Sequence, residues 1–182
     1  LIKNSLVCSN KTMSIGWHGG GIYSSAGTIV ENCTFAGNSI THASGQGGGL
    51  YVAGGSATNC VFFENRKSAA TNNVGGNTGS IKYSCAVDLT HGTEGNITNL
   101  PVFNDMIYYH LKSRGGTYLD GYFDGGTWGI VSENSPGIDE GAPDMSYTRE
   151  IYPHGFRVNM GAYGNTPVAS RTFITASILI IR

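Results

Sequence analysis

Charge is scarce in this chain and nearly balanced: 13% of its 182 residues are Asp, Glu, Lys or Arg, and the formal net charge is -1. With neither a basic stripe to neutralise a phosphate backbone nor an acidic run, nucleic acid is excluded as a partner. Nowhere do the roughly 20 apolar residues of a membrane-crossing helix follow one another, so no such span is expected. The chain opens neither on methionine nor on the charged-then-apolar start of a signal peptide, and Leu1 reads as the beginning of a fragment or of a mature piece. Its four cysteines lack both Cys-x-x-Cys spacing and a neighbouring histidine pair, which argues against zinc. A convincing helical period is also missing. The length suits one domain with a real core.

Glycine, by contrast, occurs 28 times, and part of its placement is periodic. GGGIYSS at 19–25 returns as GGGLYVA at 47–53. Setting IKNSLVCSN (2–10) over VENCTFAGN (30–38) and ATNCVFFEN (57–65) aligns Asn4 with Asn32 and Asn59, and Asn10 with Asn38 and Asn65. A weaker fourth copy, IKYSCAV, sets Cys85 after Cys60 and puts Ser84 in place of the first asparagine. Within a copy, Val30, Cys33 and Phe35 fit two short strands that meet at a bend at Asn32, a residue type that tolerates left-handed backbone. Repeats of about 27 residues built this way describe the coils of a parallel β-solenoid, each about 4.8 Å above the last. The expected inward columns are Ile2, Val30 and Ala57; Ser5, Cys33, Cys60 and Cys85; and Val7, Phe35, Phe62 and Val87. The glycine triplets are expected at tight corners, with Ile22 and Leu50 pointing inward.

On the phrases GGGIY, GGGLY, FAGN and FFEN the chain resembles the secreted right-handed parallel β-helix repeat proteins of bacteria, which include polymorphic outer-membrane proteins and pectate-lyase-like chains. YYHLKS (108–113), SPGIDEGAPD (135–144) and PHGFRVNMGAYGNTPVAS (153–170) resemble the end piece that closes many of them, although Ala142 stands where that piece has an aspartate. The resemblance implies a C-terminal portion of such a protein, outside the cell or on a bacterial cell surface. The expected fold is all-β: a right-handed parallel β-helix of about four rungs over 1–100, a capping segment over 101–172, and an apolar tail strand over 173–182.

Candidate chemistry is thinner. Cys33, Cys60 and Cys85 in one column suit stacked free thiols better than disulfides, because side chains one rung apart point the same way. Asp120, Asp124, Asp139 and Asp144 are weak calcium candidates, since aspartate beside glycine more often makes a turn. The scattered histidines, His110 among them, default to structural roles. Arg157 is read as a clamp on carbonyls of the end piece or on Asp139. Trp17, His18, Tyr122 and Trp128 are the candidate sugar platforms; the aromatics Tyr118, Tyr122, Phe123 and Trp128 equally suit a lid over the open end of the coil.

Two functions follow. The favoured one is a non-catalytic structural or adhesive solenoid that self-associates end to end, with no catalytic residue and no cofactor beyond the calcium alternative. The other is a module that binds or cleaves polysaccharide.

Overall fold

The computed structural model describes residues 1–175. A first coil runs through β1 (Ile2–Cys8), β2 (Lys11–Thr12) and β3 (Ile22–Ser24), and a second through β4 (Ile29–Ala36), β5 (Ser39–Ile40) and β6 (Leu50–Val52). The third passes β7 (Ser56–Thr58), β8 (Val61–Phe63), β9 (Arg66–Lys67), β10 (Ala70–Thr71) and β11 (Val74–Gly76), and β12 (Ile81–Lys82) begins a further one. Strands of successive coils pair in parallel: β1, β4, β7 with β8, and β12 form one sheet; β2, β5 and β9 a second; β3, β6 and β11 a third. The chain is therefore a parallel β-solenoid of about 3 turns rather than four, because the fourth copy is not completed.

Register puts like over like. Ile2 pairs with Val30, Val30 with Ala57 and Ala57 with Ile81. Phe35 pairs with Phe62, their rings stacked at 4.9 Å. These residues, with Cys33, Cys60, Leu50 and Val52, are the core between the three sheets. The offset of three between inward Val30 and inward Cys33 is explained at the bend: Asn4, Asn32 and Asn59 have φ of 46°, 47° and 55°. A residue in that conformation breaks the alternation, so both flanking strands face the core.

The fourth copy departs from expectation. Tyr83, with φ of 44°, takes the bend position rather than Ser84. Ile81 follows Ala57 by one residue less than the alignment assumed, and a one-residue slip turns every side chain over. Cys85 accordingly pairs with Val61 and faces away from the core, packed with Phe103, Leu111 and Met160. Ala86 replaces Val87 in the core, and Val87 is exposed.

The glycine triplets are corners stacked on corners. Gly19, Gly20 and Gly21 donate backbone N–H groups to Gln46, Gly47 and Gly48, at 3.1, 2.9 and 3.0 Å. A Cβ on Gly20 would strike the Gly48 carbonyl, and Gly19 and Gly47 have φ of 73° and 69°. Glycine is needed here for both reasons.

The outward face of the first sheet is also apolar, because Leu6, Thr34, Val61 and Cys85 stack along it. Residues 101–175 cover it. They contain one antiparallel hairpin, β13 (Thr117–Leu119) with β14 (Thr127–Gly129), and are otherwise irregular. Tyr118, Ala162, Tyr163 and Val168 pack against Leu6 and Trp128, while Met160, Phe103 and Leu111 pack against Val61. The end piece is thus a strap along the side of the stack. Of the aromatics expected to form a lid, Tyr118 and Trp128 belong to this lateral packing. At the C-terminal end Ala86 and Leu89 join the core, Asn96 bonds Ile81 of β12, and Ile97 pairs with Cys85. In the expected tail strand, Phe173–Thr175 form no strand and residues 176–182 lie outside those described.

Candidate functional site

Two columns of asparagine organise the molecule, one inside a corner and one on the outward face. In the corner, the backbone N–H and the Nδ2–H of Asn10 both donate to Asn38 Oδ1, at 3.0 and 2.9 Å. Asn38 does the same to Asn65 Oδ1 at 3.0 and 2.8 Å, and Asn65 to Asn73 Oδ1 at 3.1 and 3.0 Å. Second amide hydrogens reach Val7 O from Asn38 and Phe35 O from Asn65. A primary amide has the acceptor oxygen for the two donors above and the two N–H hydrogens that reach the layer below and a neighbouring carbonyl. The column ends on an acceptor-only group: Asp88 receives the Asn73 N–H at 2.7 Å and its Nδ2–H at 3.0 Å. Asn73 and Asp88 escaped the sequence reading because they stand 8 residues after Asn65 and a further 15 along, off the repeat period.

The bend column faces the strap. Asn4 Nδ2 donates to the carbonyls of Ala162 and Gly164, both at 2.8 Å, and Asn32 Nδ2 to Asn159 O at 3.1 Å. Asn59 Oδ1 accepts the Ala142 N–H at 2.6 Å, and Thr34 Oγ1 accepts that of Ala162 at 3.0 Å. Asn159 is the strap's hub: its Oδ1 accepts from Asp139 N at 2.8 Å and its backbone N–H donates to Glu150 Oε1 at 2.9 Å. Glu150 Oε1 also accepts from Asn165 N at 2.8 Å. Burial pushes the Glu150 carboxyl up to about 7, against the pull of those two N–H groups. Neither Glu150 nor Asn159 falls on a repeat, so period alone could not find them.

The residues singled out from sequence are dispersed. Trp17 is exposed on the loop before β3, and His18 stacks on Tyr51 at 4.2 Å, with Tyr23 stacked on Tyr51 in turn at 5.5 Å. Trp128 is covered by the Arg171 guanidinium at 3.9 Å and meets Tyr118 edge-on, so its ring is engaged in packing. Tyr122 and Phe123, with Leu6, Cys8 and Ile107, line a depression of about 420 Å³ beside β1. The four platform candidates therefore do not share one surface.

Asp120 and Asp139 occupy left-handed turn positions, with φ of 59° and 57°. The Asp139 carboxylate accepts from Gly155 N at 3.1 Å and Thr172 Oγ1 at 2.7 Å. Asp124 and Asp144 are exposed. Among the described residues no group of three or more His, Cys, Asp or Glu could hold a metal ion. Arg157 clasps the carbonyls of Gly141 and Glu140, and its carboxylate partner is Glu140, at 3.4 Å, rather than Asp139.

All four cysteines are free. Burial raises the Cys60 thiol well above its ordinary value and pushes Cys85 up to about 12, so both are inert protonated thiols at neutral pH. His110 is buried, stacked on Tyr163 at 3.6 Å, and its Nε2–H points at the carbonyls of Gly121 and Tyr122, each at 3.0 Å. Burial lowers its pKa, which favours neutral imidazole. No helix among the described residues is long and apolar enough to cross a membrane. No protein-family model, no curated protein and no solved structure matches the chain.

Proposed function

We propose that this chain is a non-catalytic structural or adhesive β-solenoid working outside the cell or on a bacterial cell surface. The observation that carries the reading is what the polar side chains hold: the asparagine amides, exposed Asp88, half-buried Asp139 and buried Glu150 bond backbone and one another, and so build coils and strap. Catalytic groups need a free acid, base or nucleophile facing a place for substrate. Here the buried carboxyl of Glu150 accepts two backbone N–H groups on Oε1, and half-buried Asp139 accepts from Gly155 N and Thr172 Oγ1. The bacterial, extracellular setting rests on the resemblance of GGGIY, GGGLY, FAGN and FFEN to secreted repeat proteins. The role needs no cofactor.

A second reading, polysaccharide binding or lyase-type cleavage, has the Tyr122–Phe123 depression in its favour, since aromatic walls suit the C–H faces of sugars. Incubation with polyuronates and neutral glycans separates the two. The scaffold reading predicts no unsaturated product and no binding in the millimolar range; product formation, or binding lost on Tyr122→Ala, would replace it with the second.

A further inference from the structure

We infer that the N-terminal end of the stack is a receptor for one more parallel β-rung of this chain's own repeat design, with an N–H donor above Asn10 that the Asp88 end of a second copy does not supply. The inference deepens the scaffold reading and rests on it for biological use, though not for its physics.

The outer side of the first coil carries no strand among the described residues. Among the described residues β1, β2 and β3 are the outermost strands of the three parallel sheets, and their outer edges pair with no strand. Ile2, Val7 and Ile22 are only partly buried, whereas their partners Val30, Phe35 and Leu50 in the second coil are wholly so. Around them Leu1, Met13, Ile15 and Trp17 are 79, 69, 86 and 64% exposed. Met13, Ile15 and Trp17 stand on the loop between β2 and β3, and exposed apolar residues on a coil with open strand edges mark an interaction surface.

The asparagine column states what fits. Its amides all point the same way, with positive N–H ends toward the C-terminal end, where they meet the negative Asp88 carboxylate. The negative end is Asn10 Oδ1, which receives no donor from the described residues, whereas the oxygen of Asn38 receives two. The complement in charge is therefore a donor, and a rung with asparagine at that position supplies two. At the other end Asn96 Nδ2 donates to Ile81 O of β12, Ile97 pairs with Cys85, and β10 turns back antiparallel on β9, while β11 stays outermost in its sheet. Head-to-tail addition of a second copy would set its acceptor-only Asp88 carboxylate against Asn10 Oδ1, with no donor between them.

Placing residues 29–55 ahead of Leu1 tests this, because Leu1 then follows Gly55 as Ser56 does and Ile2 takes the register of Ala57. The added repeat should protect its backbone amides from hydrogen exchange at least about 100-fold and raise the thermal midpoint by about 5 °C over a scrambled 29–55 segment. Most of the gain should vanish when its copy of Asn38 is changed to leucine. Added amides that exchange as fast as those of the scrambled segment would overturn the inference and leave the scaffold reading standing, since the original chain folds regardless. A concentration-dependent dimer of the unextended chain that Ser5→Pro abolishes would overturn it too, by assigning the edge to a second copy paired antiparallel.

Discussion

The coils and the strap are built from the same polar vocabulary in opposite ways. In the coils one hydrogen bond is repeated, Asn10 to Asn38 to Asn65 to Asn73, and each layer positions the next. In the strap Glu150, Asn159 and Arg157 each make a contact found once. Damage to a repeated contact is felt in the layers on both sides, whereas damage to a single contact stays local. Stability should therefore be steep toward the middle of the stack and shallow along the strap.

The largest expected effect is in the middle of the core. Phe62→Ala removes the ring stacked on Phe35 and should cost about 3–5 kcal/mol in urea unfolding. The same change at Phe103, at the seam between strap and sheet, should cost less; equal losses would erase the contrast. Next comes Asn65→Leu, which strips the acceptor from two donors of Asn38 and should cost about 3 kcal/mol.

Glu150 tests the strap through pH. Its folded pKa, raised to about 7, lies above the ordinary 4.5 because the site is buried, so the folded form holds the proton more tightly than the unfolded chain. The stability this provides is complete below the unfolded value and is lost as pH rises from there through 7, a decline of about 3 kcal/mol. Thermal midpoints should fall between pH 5 and pH 8, and Glu150→Gln should flatten that fall while keeping an acceptor for Asn159 and Asn165. A midpoint that rises over this range would place the carboxylate's charged form as the favoured one and reverse the assignment.

The smallest effect is at the bend. Asn32→Gly keeps the left-handed backbone and loses the bond to Asn159, costing about 1 kcal/mol, while Asn32→Ala should add about 1–2 kcal/mol of backbone strain. Equal losses for the two variants would show that φ at this residue is not the constraint.

How much of this could be read beforehand followed the same division. The coils were legible because period and chemistry coincide: Asn32 and Asn59, Cys33 and Cys60, and Phe35 and Phe62 recur at one spacing and stack in space. Legibility failed where the period slipped. The fourth copy is shorter by one residue, which moved Cys85 outward and put Tyr83 at the bend, and nothing local in IKYSCAV reveals the missing residue. The strap was legible as phrases but not as a place. A lid and a lateral strap use the same aromatics, and the choice is made by the apolar outward column of Leu6, Val61 and Cys85, which single-strand alternation conceals behind the bends.

Everything proposed for this chain requires that residues one repeat apart be direct neighbours. Nuclear Overhauser spectroscopy of the ring protons of Phe35 and Phe62 reads that directly, since their centroids lie 4.9 Å apart. Strong cross-peaks between the two rings, with further ones from the Asn38 side-chain amide to Asn65, are predicted. Rings that show contacts only to residues near them in sequence would contradict the stacked coil and the scaffold role built upon it.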